Sequence, residues 1–160
     1  MNIRFIQEKD NAPMAAIIRK NLEAYQLDLP GTAYYDSELD RLYQFYQTVE
    51  QGNYWVLVDD EDQVIGGVGV SPLENQIAEL QKLYLTDQVK SQGFGQKLLD
   101  HAIHFAKENY QGLYIETSSI LKEAKKLYEK NQFQALDNPL GATGHTLMDS
   151  WFLMAFKQEN

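Results

Sequence analysis

The chain of 160 residues contains no cysteine. Disulfides, thiolate metal sites and a cysteinyl acyl-enzyme are therefore excluded. No apolar run approaches the roughly 20 residues of a membrane span, so no membrane partner is expected. The apolar part of the N-terminus, Met1-Asn2-Ile3-Arg4-Phe5-Ile6, is too short for a signal peptide, and a cytoplasmic location is expected. Positive charge is scarce: 14 Lys and Arg stand against 23 Asp and Glu, a net charge of −9. That balance argues against a nucleic-acid partner and would favour a cationic small molecule. The histidines, His101, His104 and His145, have no acidic residue at ligand spacing, so no metal is expected. There is no repeat, low-complexity run or linker, and one domain over residues 1–160 is expected.

Periodicity places the elements. Ile3–Ile6 reads as a strand. Asp10 is placed to cap a helix with Pro13 in its first turn and Met14, Ile17, Ile18 and Leu22 on one face. After the break at Pro30-Gly31, Asp36 is placed to cap a second helix with Leu39, Leu42, Tyr43, Tyr46 and Val49 inward. Strands follow at Tyr54–Val58 and Val64–Val70, joined by an acidic turn, and at Ile77–Leu85. A helix runs to Asn109 with Gly112 as its stop, and Leu113–Thr117 is a strand. Ser118 or Ser119 is placed to cap a helix carrying Tyr128, and a last strand lies near Trp151–Phe156. The order β-α-α-β-β-β-α-β-α-β-β is mixed α/β.

Between the strand at Leu83-Tyr84-Leu85 and the helix beginning near Gln96 lies Lys90-Ser91-Gln92-Gly93-Phe94-Gly95. Free N–H groups at a helix start, next to glycines that admit close approach, form an anion site. A P-loop is excluded because Gly95-Gln96-Lys97 lacks the Gly-Lys-Ser/Thr closure. A dinucleotide fingerprint fails at its third glycine, where Leu98 stands, although Glu116 follows at about the spacing that motif asks.

The stretch 90–95 resembles motif A of the GNAT acetyltransferase superfamily, with Lys90 in place of the usual Arg or Gln. Ala124-Lys125-Lys126-Leu127-Tyr128, ending at Phe133, is similar to a second signature of that superfamily. Gln132 replaces its glycine, and Leu121 stands where many members carry Asn. The resemblance implies a mixed central sheet with helices on both faces and splayed fourth and fifth strands. It implies acetyl-CoA as co-substrate, with its pyrophosphate on Lys90, Ser91, Gln92, Gly93, Phe94, Gly95 and Gln96 and its pantetheine along the backbone of Leu83, Tyr84 and Leu85. It also implies transfer of an acetyl group to a primary amine, on a small molecule or at a peptide N-terminus or lysine. A homodimer is compatible with such a fold. A non-catalytic acyl-CoA sensor on the same fold is the alternative, suggested by the departures at 90, 121 and 132.

Acyl transfer to an amine needs a base, a polarised thioester and a proton for the leaving thiolate. The resemblance points to Glu79, eleven residues before Lys90, as base, and to Tyr128 as general acid. A desolvated Glu79 would have a raised pKa, as a base needs. His145, in the Gly-rich stretch 141–145, is the competing proton carrier. Tyr34, Tyr35 and Asp36 offer aromatic faces and a carboxylate to a cationic acceptor, or else serve as a cap beside two packing rings.

Overall fold

The computed structural model describes residues 1–157. The chain runs β1 (Asn2–Phe5), α1 (Asn11–Ala24), α2 (Leu42–Gln47), β2 (Asn53–Val58), β3 (Val64–Glu74) and β4 (Ile77–Leu85). It continues through α3 (Phe94–Asn109), β5 (Gly112–Thr117), α4 (Lys122–Lys130), β6 (Gln134–Leu136) and β7 (Ser150–Ala155). The strands make one seven-stranded sheet in the order β1-β2-β3-β4-β5-β7-β6. All neighbours are antiparallel except β4 and β5.

Alternating side chains feed a core on each face of the sheet. On one face Trp55, Leu57, Val68, Val70, Leu80, Leu113 and Ile115 pack against Leu98, Leu99, Ala102 and Ala106 of α3 and Tyr128 of α4. On the other, Tyr54, Val56 and Val58 pack against Met14, Ile17, Ile18 and Leu22 of α1 and Leu42 and Tyr46 of α2. The expected mixed sheet, with helices on both faces, is present.

Helix starts are where expectation and structure part. Asp10 does not cap α1; its buried carboxylate accepts from the Gln7 amide at 2.7 Å and from Arg4 at 2.8 and 3.0 Å. An arginine fork binds a carboxylate more strongly than one backbone N–H does. The Asp36 side chain caps no helix start either. Thr32 caps a 3-10 turn at Ala33–Tyr35, and the second helix enters through another 3-10 turn at Leu39–Arg41, so Val49 falls beyond it. Ser118 and Ser119 leave the start of α4 uncapped at Leu121. Ser119 instead donates to Asp149 at 2.7 Å. Gly112 is no stop: α3 ends at Asn109, and Gly112 opens β5.

Two backbone features prepare the site. Strands β4 and β5 pair only over Ile77–Glu79 against Gly112–Tyr114, then part, so β4 beyond Glu79 presents an unpaired edge toward β5. Opposite β3, Tyr84 faces Gly67 and Gln81 faces Gly69, leaving Lys82 and Leu83 against Val68 alone. That is a two-against-one bulge, and Lys82 takes φ +50° there. The Lys82 carbonyl accepts from the buried Tyr54 hydroxyl at 2.7 Å. Tyr54 reaches it because Gly67 and Gly69 leave its ring room: a Cβ on either would lie 2.7 Å from that ring.

Candidate active site

A cavity of about 550 Å³ opens where β4 and β5 diverge. It runs from the start of α3, along the free edge of β4, to the loop before β7. At the α3 end, Gly93 has φ +86° and begins the helix from the left-handed region, which a Cβ disfavours. A Cβ on Gly93 would meet nothing within 4 Å, and one on Gly95 only Leu127 and Leu85 at 3.7 and 3.8 Å. Packing within the protein therefore does not require Gly95, which costs a helix about 1 kcal/mol relative to alanine. The space its missing side chain leaves lies in the cavity, above the free N–H groups of the first turn. This cradle fits a phosphate.

Lys90 lies at the same rim. Its Nζ donates to Asn21 Oδ1 at 2.6 Å and pairs with Asp87 at 2.9 Å. Asn21, on α1, is tied by its amide to the carbonyls of Ile17 and Leu85, both at 2.9 Å. Ser91 and Gln96 line the cavity with Lys90, and Gln96 is braced by Asn131 at 2.7 and 2.9 Å. Two residues of the expected loop point elsewhere. Gln92 donates to the Gln88 carbonyl at 3.0 Å, and Phe94 packs into the core. Leu83, Tyr84 and Leu85 line the cavity along β4.

Tyr128 reaches the middle of the cavity from α4. Its ring sits between Phe133 and Phe152, with centroids 6.0 Å from each. Burial pushes its phenol pKa well above the ordinary value, so it is protonated and able to donate at any physiological pH. Two departures from the second signature find their explanation beside it. Gln132 has φ +68°, the region glycine occupies most readily, and Leu121 spends its side chain on core packing and the cavity wall.

At the far end, Glu79 on β4 is 5% exposed. Its Oε1 accepts from the Gln81 amide at 2.8 Å, and Gln81 in turn accepts from the Tyr46 hydroxyl. Among the described residues its Oε2 has no partner. Desolvation raises its pKa, and the nearby Glu116 carboxylate raises it further. Glu116, on β5, accepts from the Tyr114 hydroxyl at 3.1 Å and from the Thr143 hydroxyl.

His145 comes in from the loop before β7 and lines the same end. Its Nε2 lies 3.0 Å from both oxygens of Asp36. That bond raises the imidazole pKa and outweighs its desolvation. Asp36 also meets Lys82 Nζ at 2.7 Å, and Lys82, its side chain 3% exposed, reaches Glu38 at 3.4 Å. The positions expected to face an acceptor thus divide. Asp36 joins His145 in an ion network, whereas Tyr34 donates to Glu23 at 2.8 Å and Tyr35 is 62% exposed. Neither tyrosine lines the cavity.

Lys82, Gln81 and Asn21 escape the sequence reading, and Glu116 enters it only through the dinucleotide fingerprint that fails. Strict alternation along β4 would put Lys82 on the face opposite Gln81, and the bulge at Lys82–Leu83 buries it beside Asp36 and Glu38. Among the described residues no cluster of potential ligands could hold a metal, and no helix is long and apolar enough to cross a membrane.

Residues 18–133 match the sequence profile of the acetyltransferase (GNAT) family. A protein of Escherichia coli (strain K12), described as the uncharacterized N-acetyltransferase YjgM, is 38% identical over 148 residues, covering 89% of this chain and 87% of that one. An acetyltransferase of the GNAT family from Staphylococcus aureus Mu50 superposes with a TM-score of 0.87 at 20% identity, over 98% of this chain and 99% of that one. N-acetylglutamate synthase from Neisseria gonorrhoeae, solved with coenzyme A and N-acetyl-glutamate, superposes with a TM-score of 0.74 at 17% identity, over 98% of this chain and 35% of that one.

Proposed function

The chain belongs to the GNAT acetyltransferase family and is an N-acetyltransferase, and from that premise we propose that it moves an acetyl group from acetyl-CoA to a primary amine by direct attack in a ternary complex. One observation carries the reading. A single cavity joins a phosphate cradle at Gly93–Gln96, a free strand edge at Leu83–Leu85, a buried phenol at Tyr128 and a buried carboxylate at Glu79.

Acetyl-CoA supplies the activated acyl thioester. The first-turn amides of α3, with Lys90 beside them, hold its pyrophosphate. The unpaired edge of β4 bonds the amides of its pantetheine arm. Glu79 takes a proton from the acceptor ammonium, directly or through water, and its raised pKa suits that task. The neutral nitrogen then forms the C–N bond as the C–S bond breaks. As the amide forms, its nitrogen sheds its second proton to solvent, Tyr128 gives its hydroxyl proton to the leaving sulfur and regains one from solvent, and Glu79 releases to solvent the proton it took. The bulge at Lys82–Leu83 leaves the ladder with an unpaired residue beside this point, a source of donors for the polarised carbonyl. His145 is held by Asp36 with its pKa raised, so it positions the loop rather than serving as base.

Thermal shift tests the binding half. Acetyl-CoA and CoA should each stabilise the protein by about 2.7 kcal/mol at a hundredfold excess over Kd. NAD and ATP should not. Initial-rate patterns test the other half: direct attack gives intersecting lines, and a covalent acyl-enzyme gives parallel ones. No shift with either CoA species, or parallel lines, would remove this reading.

A further inference from the structure

Charge at the acceptor end does not close. Lys82 and His145 are the basic groups there, and both are taken. Lys82 is bound by Asp36 and Glu38, and His145 by Asp36. Two basic groups thus meet two carboxylates, Asp36 and Glu38. Glu79 and Glu116 are left over, and among the described residues neither has an ion pair.

The donors these two carboxylates do have are neutral: an amide for Glu79, and a phenol and an alcohol for Glu116. Neutral donors satisfy lone pairs without cancelling charge. One oxygen goes without even that. Glu79 Oε2 is buried, faces no donor and belongs to a residue that lines the cavity. A buried acceptor without a partner is costly unless a ligand supplies the donor.

Placement completes the argument. Glu79 sits opposite Tyr114 at the last paired position of β4 and β5. Glu116 is two residues further along β5, on the same face as Tyr114, roughly 7 Å along the strand. The two carboxylates therefore stand at successive depths on opposite walls of one cleft.

We propose that the acceptor is dicationic, a diamine or polyamine with a short alkyl spacer, and that Glu116 is the specificity-determining residue holding the ammonium group that does not react. This rests on the amine-acetyltransferase reading above. The reacting nitrogen must lose its charge to attack, so it cannot balance both carboxylates. Once Glu79 has taken that proton, Glu116 still carries its charge, and a second ammonium answers it. An acceptor bearing a carboxylate would instead meet two like charges with both local cations already bound.

The test compares 1,4-diaminobutane with 4-amino-1-butanol, matched in length but carrying a hydroxyl at the far end, at saturating acetyl-CoA. The diamine should be preferred in kcat/KM by about tenfold or more, the worth of one bond to a charged group. Glu116→Gln should shrink that preference to within about threefold, and Glu116→Asp should restore part of it. Acetyl-CoA thermal shift confirms that each variant is folded. A merely structural Glu116 would slow both acceptors together and leave their ratio alone. Equal use of the two acceptors by the parent, a preference that survives Glu116→Gln, or no diamine acetylation would overturn the proposal. If peptide N-termini or lysines are acetylated while diamines are not, only this inference falls. If acetyl-CoA binds and no amine of any class reacts, the functional reading falls with it.

Discussion

At the Gly93–Gln96 end of the cavity, the groups that face the ligand space are mostly backbone, presented by one continuous loop and the helix it starts. At the Glu79–His145 end they are side chains, drawn from β4, β5, the α1–α2 connection and the loop before β7. The first end depends little on residue identity, because every residue except proline carries a backbone N–H. The second is specific to its charges, because each group there is buried, partnered or conspicuously without a partner. A cofactor shared by a family calls for the first kind of construction, and an acceptor particular to one member calls for the second.

The contrast can be broken most severely at the base. Glu79→Gln keeps the size and removes the charge, so turnover near neutral pH should fall by about 10²- to 10⁴-fold. Acetyl-CoA affinity should hold. Activity should recover partly at high pH, where more of the amine is already neutral. In the parent, the acid limb of kcat/KM should lie above the ordinary glutamate range, since activity is lost as pH falls through the raised Glu79 pKa. A pH–rate series for parent and variant checks all of this, and identical profiles would mean Glu79 is not the base.

Tyr128→Phe comes next, between the two ends. It keeps the ring between Phe133 and Phe152 and removes only the hydroxyl. Turnover should drop by about ten- to a thousandfold, within or just below the usual range for general acid catalysis. Pre-steady-state kinetics should place the loss in the chemical step, with acetyl-CoA affinity little changed. Full activity with chemistry rate-limiting would reassign Tyr128 to the core.

The backbone-built end should answer differently. Gly95→Val adds a side chain where the protein has room and the phosphate does not. Acetyl-CoA should bind about ten- to a hundredfold more weakly, the equivalent of losing one or two charge-assisted hydrogen bonds. The melting temperature without ligand should barely move. Gly93→Val should weaken binding as well but also cost stability, about 1–3 kcal/mol, because φ +86° strains any residue with a Cβ. Isothermal titration beside thermal melts separates the two effects.

The smallest effect sharpens the comparison from the stability side. His145 has a pKa raised by Asp36, so the stabilisation from this pair is fully present below the unfolded imidazole value. It is lost as pH rises through the higher folded value. Asp36, whose pKa is lowered, loses its share as pH falls through that lowered value. Melting temperature against pH should therefore sag above neutrality in the parent and flatten in His145→Ala. The Gly95→Val protein should keep the parent curve, because that substitution leaves the His145–Asp36 pair in place.

How legible each part was follows from chain distance. The strands, α1, α3 and α4 were readable because a 2- or 3.6-residue period is a local record of which face is buried. The phosphate cradle was readable for the same reason: Gly93, Gly95 and the helix after them are neighbours in sequence. Tyr128 was singled out by the resemblance of Ala124-Lys125-Lys126-Leu127-Tyr128 to the second signature, and the structure places it on the cavity wall. Capping misled at Asp10, Asp36 and Ser118–Ser119, where each polar residue suits a helix start locally, but Asp10 is taken by the Arg4 fork on the preceding strand and Asp36 and Ser119 by partners far along the chain. Tyr34 and Tyr35 looked like an aromatic face for an acceptor, yet Tyr34 is spent on Glu23 and Tyr35 on solvent.

By itself, then, the sequence determined the order of the elements, the two apolar faces of the sheet and the glycine turn at the start of α3. All three depend on residues within a few positions of one another. Tertiary structure decided the rest. It turned Lys82 inward through a bulge that pairing with β3 creates, brought His145 to Asp36 across more than a hundred residues, and left Glu79 Oε2 buried without a partner. Charges act through space, and their balance at a site is settled only when distant segments are packed together.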